Sequence, residues 1–401
     1  MIRKRQIAGI DLPLFAGVIA SDVPRMFLIG IAPLFLSSFV DDRGFGEERA
    51  AWLSSSELLA SAVAAIAISG WLTRRSRRAT AGLGLGLVVV AQLLSMAHLD
   101  FVPLLLMRAM AGFGAGLAGA AATAVAAGTR NPERVFAAAS FVTALLGAAT
   151  IGPIGMAIGA YGAVGGFAIA AGVTLLVAPL VFGLPPPRVI PPKNPTQRAG
   201  QPIGAALAVL AALFTFMLGQ NAVWGFTARI GQSAGLSVQE VSWILGATAA
   251  AGLAGAAVAA TLGTRRGRTI PLLVSIVGTV LSVFVLVEST TTAAFIAANA
   301  TWTFLFAFSM PYFIGTLAAL DPSGRWAAIG TGVAGIGAAL GPAAIGRTVE
   351  TNGYGSLGYL MLVMGLLAIA LITPVLLRLD RAAMKAPPPD ASRSESTTND
   401  S

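Results

Sequence analysis

The chain has 401 residues, of which 56% are hydrophobic and 11% charged, and its mean hydropathy of +0.80 excludes an ordinary soluble domain. It has no cysteine and one histidine, His98, which excludes disulfides, thiol catalysis and Cys- or His-built metal centres. The net charge of +9 lies in short basic clusters between apolar runs, the pattern of membrane-protein loops rather than of a nucleic-acid-binding face.

Met1-Ile2-Arg3-Lys4-Arg5 is similar to a signal-peptide n-region, but the apolar run behind it is too long for an h-region and eleven more follow, so an uncleaved first span is expected. The runs cover 12–40, 50–72, 80–98, 101–128, 135–159 and 162–184, then 203–229, 238–263, 270–288, 292–319, 326–346 and 356–378. Each is near the roughly 20 residues that cross a bilayer as helix. The expected fold is an all-α membrane protein of twelve spans. Residues 1–184 form one six-helix bundle, 185–202 a Pro-rich basic linker, 203–379 a second bundle and 380–401 a disordered polar tail.

Twenty basic residues, in the N-terminus, the tail, the linker and alternate loops, fall on one side of this topology. Only Arg43, Arg49, Arg229 and Arg347 fall on the other. The positive-inside rule then puts both termini and the linker in the cytoplasm.

The first span carries Asp22, Pro24 and Arg25 at bilayer depth, where an ionisable group costs about 2.5–3.5 kcal/mol on insertion scales and normally faces protein or water. Asp22 and Arg25 share a helix face and can neutralise each other. Pro24 crowds the carbonyl of Ala20 and predicts a kink there. Span two holds Glu57 and span four Arg108, roughly 10 and 9 Å from the outer ends of their helices at 1.5 Å per residue, which predicts a pair across the two spans. The alternative is that Glu57 reaches the surface past Ser54–Ser56.

An internal repeat links the halves. Trp52 recurs as Trp243 and Arg74-Arg75 as Arg265-Arg266 at a spacing of 191, Pro132, Phe136 and Ala137 as Pro322, Trp326 and Ala327 at 190, and Gly152-Pro153 as Gly341-Pro342 at 189. Two parallel halves with a site between them at the midplane are a recurring transporter plan. By the same spacing Glu57 maps onto Thr248, Arg108 onto Asn299, and Asp22 and Arg25 onto Leu213 and Phe216. Intramembrane charge is thus confined to the first half. Gln220, Asn221, Trp224, Asn299, Trp302 and Tyr312 give the second half amides and aromatic faces, suited to a moderately apolar solute, although tryptophans are also common interfacial anchors. Thr248 is expected to bond its own helix backbone.

Three motifs carry a family resemblance. Gly70-Trp71-Leu72-Thr73-Arg74-Arg75-Ser76-Arg77-Arg78, echoed by Leu262-Gly263-Thr264-Arg265-Arg266-Gly267-Arg268, resembles the Gly-x-Leu-Ala-Asp-Arg-x-Gly-Arg loop of the major facilitator superfamily, with Arg74 and Thr264 in place of its Asp. Arg108-Ala109-Met110-Ala111-Gly112 resembles its Arg-x-x-Gln-Gly motif, with Ala111 for Gln, and Gly112 and Gly116 are small-residue packing positions. Gly152-Pro153-Ile154-Gly155 resembles the Gly-Pro motif of its antiporters, and Gly341-Pro342 repeats it. The resemblance implies two six-helix bundles rocking about a central site, with Arg74, Arg75, Arg265 and Arg268 in gating loops.

The function expected is secondary transport of a small organic solute across the bacterial inner membrane, coupled to protons through Asp22, Arg25, Glu57 and Arg108. The chain is expected to act as a monomer in the lipid bilayer, without cofactor, metal or nucleic acid. Desolvation and Arg25 act in opposite directions on Asp22, so a conformation-dependent approach of Arg25 would change its proton affinity. A fixed ion pair pinning the helix is the alternative. Export by antiport is favoured by the Gly-Pro motif, whereas uptake of a small organic acid fits the two intramembrane arginines. A channel, a receptor and a membrane enzyme fit less well: the repeat favours a carrier, no large soluble domain is present, and clustered acids or histidines are missing. The chain has no Gly-Lys-Ser/Thr loop for ATP, and Gly82-Leu83-Gly84-Leu85-Gly86 belongs to a span, where glycines serve packing.

Overall fold

The computed structural model describes residues 6–7, 10–69, 76–129, 132–185, 203–265, 267–321 and 325–385. A two-residue antiparallel pair, β1 Gln6–Ile7 with β2 Ile10–Asp11, precedes the helices. These are α1 Leu12–Gly30, α2 Ala32–Asp41, α3 Glu47–Ser69, α4 Arg77–Ser95, α5 Phe101–Ala127, α6 Pro132–Tyr161 and α7 Ala163–Val177, the last extended by a 3-10 turn at Ala178–Gly183. The second half follows as α8 Ile203–Ser233, α9 Val238–Leu262, α10 Thr269–Val287, α11 Thr292–Leu320, α12 Arg325–Asn352 and α13 Gly355–Lys385. Among the described residues twelve helices are long and apolar enough to cross a membrane. Helices satisfy every backbone polar group internally, which lipid requires. Large exposed apolar side chains such as Leu83, Leu106, Leu176 and Leu281 form the outer surface a bilayer needs.

With an even number of spans, the start of α1 and the end of α13 lie on one side, called here the terminal side, and the opposite side is the distal one. The first span carries a break that the sequence did not predict. α1 continues as helix through Pro24, and the span is broken further on at Ile31, between α1 and α2. The cause is Pro33, in the first turn of α2: without an N–H it cannot bond the carbonyl of Ile29 four residues earlier.

Each half packs tightly because glycines let backbones approach. A Cβ on Gly112 would lie 1.8 Å from the Glu57 carbonyl oxygen, and one on Gly116 2.3 Å from that of Ser61, so α5 lies directly against α3. The halves meet along α3–α12, α6–α9 and α2–α8. Two of these seams are related by the repeat. Gly155 of α6 receives Ser242 of α9, and Gly346 of α12 receives Ala51 of α3, each residue 191 positions from its counterpart.

Helix α13 extends into the expected tail. Residues 380–385 continue α13, because the Asp380 carboxylate accepts from the amides of Arg268 and Thr269 at 3.0–3.1 Å and from the Thr269 hydroxyl at 2.6 Å. It caps α10 and holds the last turns of α13 in place. The rest of the tail and the linker from 186 to 202 lie outside the described residues.

Candidate transport site

A cavity of about 760 Å3 lies between the halves, walled by α1, α3, α5 and α12. It runs from Ile29 and Leu28 near mid-bilayer to Arg77, Ala127 and Phe136, at the terminal-side ends of their helices. The volume suits a small organic molecule.

Arg25 lines this cavity. Its Nε donates to Asp22 Oδ1 at 2.8 Å and its Nη2 lies 2.7 Å from the same oxygen. The guanidinium side chain is 42% exposed and the carboxylate 13%, so the pair presents its cation to the cavity and keeps its anion behind it. Gly119 leaves room for the arginine stem, whose Cδ would be 3.1 Å from a Cβ there. The repeat partners Leu213 and Phe216 are fully buried apolar core.

Glu57 and Arg108 are brought together within the first half. Arg108, with no exposed surface, donates from Nη1 to Glu57 Oε1 at 3.3 Å and from Nη2 to Gln92 Oε1 at 3.0 Å and Ser95 Oγ at 2.6 Å. The Phe167 ring lies 4.6 Å from its guanidinium carbon. Glu57 does not reach the surface. Its neighbours Leu58 and Ser61 face the cavity, so this pair sits just behind the cavity wall.

In the second half Asn299 donates to Thr248 Oγ1 at 2.7 Å, while Thr248 also bonds the Leu245 carbonyl at 3.2 Å. Thr248 therefore does more than the sequence expectation gave it. Trp302 donates to Gln220 Oε1, and its ring centroid lies 6.0 Å from that of Trp224. Trp224 donates across the halves to the Ile29 carbonyl at 2.6 Å, the acceptor that Pro33 leaves free. Two further polar atoms, Gln220 Nε2 and Asn299 Oδ1, are buried without a partner. Asn221 bonds its own helix at Met217. Tyr312, ten residues beyond Trp302 and thus roughly 15 Å along the helix, donates to the Gly263 carbonyl.

The distal side is latched by residues the sequence reading did not assign to a site. Arg229 of α8 reaches Asp41 Oδ1 at 2.5 Å, Glu47 Oε1 at 3.1 Å and the Tyr354 hydroxyl at 3.1 Å, and Tyr354 donates to Glu47 at 2.6 Å. Burial, reinforced by Glu47, pushes the Tyr354 phenol well above the usual tyrosine range. Gln232 donates to Asp41 Oδ2 at 2.9 Å and accepts from Ser37 at 2.6 Å. Glu350 accepts from the Glu48 amide at 2.8 Å, capping α3 from the other half. One signal was available: Asp41 and Gln232 are 191 residues apart, and repeat-related residues near a two-fold axis face each other.

The remaining motif residues serve several purposes. Gly152 accepts the Trp243 ring at the α6–α9 seam, a Cβ there falling 2.6 Å from it, while Pro153 is exposed. Gly341 admits the α8 backbone at Ala222, and Pro342 packs on Gly225. Arg265 is exposed and Arg268 contributes its amide to the Asp380 cap. Arg74 and Arg75 lie outside the described residues.

Twelve spans in two repeated halves, latched on one side around a cavity that extends to the other, define the architecture of a membrane transporter. The sequence matches the Major Facilitator Superfamily over residues 14–318 and 209–399, and the chain belongs to that family. It is a transporter rather than an enzyme. Its fold is similar to that of a peptide transporter, POT, solved in complex with sulfate, at 16% identity and a TM-score of 0.72 over 94% of this chain and 98% of that one. It is also similar to a D-xylose-proton symporter, at 14% identity and a TM-score of 0.65 over 91% and 95%. No curated protein matches the chain by sequence.

Proposed function

We propose that the protein is a proton-coupled secondary transporter of a small organic solute, alternating between a state open on the terminal side and one open on the distal side. The observation that carries this reading is the Asp22–Arg25 pair at the cavity wall. A solute competing for Arg25, or a conformational change withdrawing it, alters the proton affinity of Asp22, and that difference is what coupling needs. Glu57, paired with Arg108 behind the same wall, is the second candidate acid. The termini and linker are assigned to the cytoplasm of a bacterial inner-membrane protein by the distribution of basic residues, which makes the state described here inward-facing.

Export by proton exchange is favoured by the resemblance of Gly152-Pro153-Ile154-Gly155 to the antiporter motif. Proton-coupled uptake of a small organic acid is the second reading, favoured by the cation that Arg25 turns toward the cavity. The second half's described share of the cavity wall is Thr331, Gly332, Gly335 and Ala338. Gln220, Asn221, Trp224, Asn299, Trp302 and Tyr312 do not line it. Gln220, Trp224, Asn299 and Trp302 enter the proposal as substrate contacts through their amides and aromatic faces alone. Reconstituted protein should move solute in response to an imposed pH gradient, with the sign of the response separating export from uptake. Asp22→Asn should remove the response to the gradient while solute exchange continues; an unchanged response would exclude Asp22 as the coupling acid.

A further inference from the structure

Arg77 is the first residue of α4 and is only 8% exposed, yet it lines the cavity. Its Nε is buried with no hydrogen-bond partner. A guanidinium withdrawn from water is costly unless an anion or acceptor meets it. Arg77 also lies at a helix N-terminus, where the unpaired amides and the helix dipole add positive potential, although Ser76 takes one of those amides, that of Ala79. At the spacing of 191 that relates the two loops, the counterpart of Arg77 is Arg268, which is half-buried, does not line the cavity and gives its backbone amide to Asp380.

Arg25 lines the same cavity, and no acidic side chain is among its described lining residues. The rest of the wall is apolar or weakly polar, with Leu28, Leu58, Ile66 and Phe136 the larger side chains. We propose that the transported solute is an organic anion, its carboxylate or phosphate-type group held by Arg77 and Arg25 in succession along the cavity and its apolar body against these side chains. This names the substrate class of the site in the proposed function and rests on that reading for the passage from binding to transport. Arg77 provides an entry position near the terminal-side mouth. Arg25, deeper and held by Asp22, exchanges its carboxylate partner for that of the solute.

The test is equilibrium binding to the purified full chain in detergent without a pH gradient, read as thermal stabilisation and by tryptophan fluorescence. The probes are a series of aryl and alkyl carboxylates and phosphonates, each paired with its neutral amide or ester and with the corresponding amine. Stabilisation by acids and not by their neutral or cationic partners is expected. Arg77→Gln and Arg25→Gln should each weaken the best acid tenfold or more, the worth of one charge-assisted hydrogen bond of about 1.5–3 kcal/mol. Arg77→Lys should retain much of the affinity, and Arg347→Gln, the same charge change at an exposed distal position, all of it. Stabilisation by phosphatidylglycerol alone would make Arg77 a lipid-headgroup site and overturn the proposal. So would binding confined to amides or amines, no binding by any acid, or acid binding indifferent to both arginines. Binding is read without a gradient, so its failure leaves proton coupling standing. Conversely, a bound acid that reconstituted protein moves without regard to pH would sink the coupling and leave the anion site intact.

Discussion

Asn299 donates to Thr248 at 2.7 Å across 51 residues, the same separation at which Arg108 meets Glu57 at 3.3 Å. The two contacts are one position in the repeat, charged in the first half and neutral in the second. Removing one member of a buried ion pair costs about 3–5 kcal/mol because the other charge stays buried. A hydrogen bond between membrane helices averages only about 0.6 kcal/mol. Glu57→Ala should therefore lower unfolding stability in detergent far more than Thr248→Ala. A double-mutant cycle on Glu57 and Arg108 should show a coupling several times that on Thr248 and Asn299. Equal couplings would mean that Gln92 and Ser95 alone satisfy the guanidinium.

Arg229 ties Asp41 and Glu47 of the first half to the second. Arg229→Ala removes charge-assisted bonds worth about 1.5–3 kcal/mol each in such settings, so the distal side should open at least tenfold more often. The natural chain has no cysteine, which makes a single introduced thiol a clean reporter. Leu36→Cys replaces a fully buried residue packed near Gly225. A membrane-impermeant thiol reagent applied from the distal side should label it faster by that factor in the Arg229→Ala background. Unchanged labelling would show that the glycine seams, not the latch, hold the distal side shut.

Gly82, Gly84 and Gly86 are equivalent in the sequence and different in the structure. A Cβ on Gly84 would lie 2.4 Å from the Gly114 carbonyl oxygen, while Gly82 and Gly86 have nothing within 4 Å. Alanine at 82 or 86 should leave stability unchanged or raise it by about 0.5–1 kcal/mol, the usual helical preference over glycine. Alanine at 84 should separate α4 from α5 and destabilise measurably. Thermal unfolding of the three variants decides it.

Asp42 accepts the Ala163 amide at 2.7 Å, yet burial raises its pKa above the ordinary 3.8, with Asp41 adding to the effect. The native state therefore holds this proton to higher pH than the unfolded chain does. Between 3.8 and the raised native value, stability should fall as pH rises. Asparagine can accept the same amide without a charge to desolvate. Asp42→Asn should thus be at least as stable as wild type near neutral pH, and the difference in melting temperature between the two should shrink on acidification through that window. A difference independent of pH would remove Asp42 from the titration.

The spans, their order and the repeat were legible because bilayer thickness imposes length and composition on each helix. The Glu57–Arg108 contact was legible because depth along a helix can be counted from its ends. The latch of Asp41, Glu47, Arg229 and Tyr354 was not, since it depends on how two halves sit against each other and its bonded members are as far as 307 residues apart. Arg77 was hidden for a different reason. As one of several arginines at a helix end it looked like a topology determinant, and only its burial and its place in the cavity wall set it apart. Pro33 stands in the first turn of a helix, an ordinary place for proline, and its effect depends on the break at Ile31, which the apolar run from 12 to 40 does not signal.

The missing N–H of Pro33 has a consequence for the transport cycle. In the distal-closed state the Ile29 carbonyl is covered by the Trp224 indole from the opposite half. When the halves part, both groups lose this partner, and position 33 offers the Ile29 carbonyl no N–H in its place. Ile29 lines the cavity, so cavity water is what can take up both groups as the distal side opens, and the first span carries a hydration requirement in its backbone. Membrane dehydration should therefore slow the opening step more than the closing one.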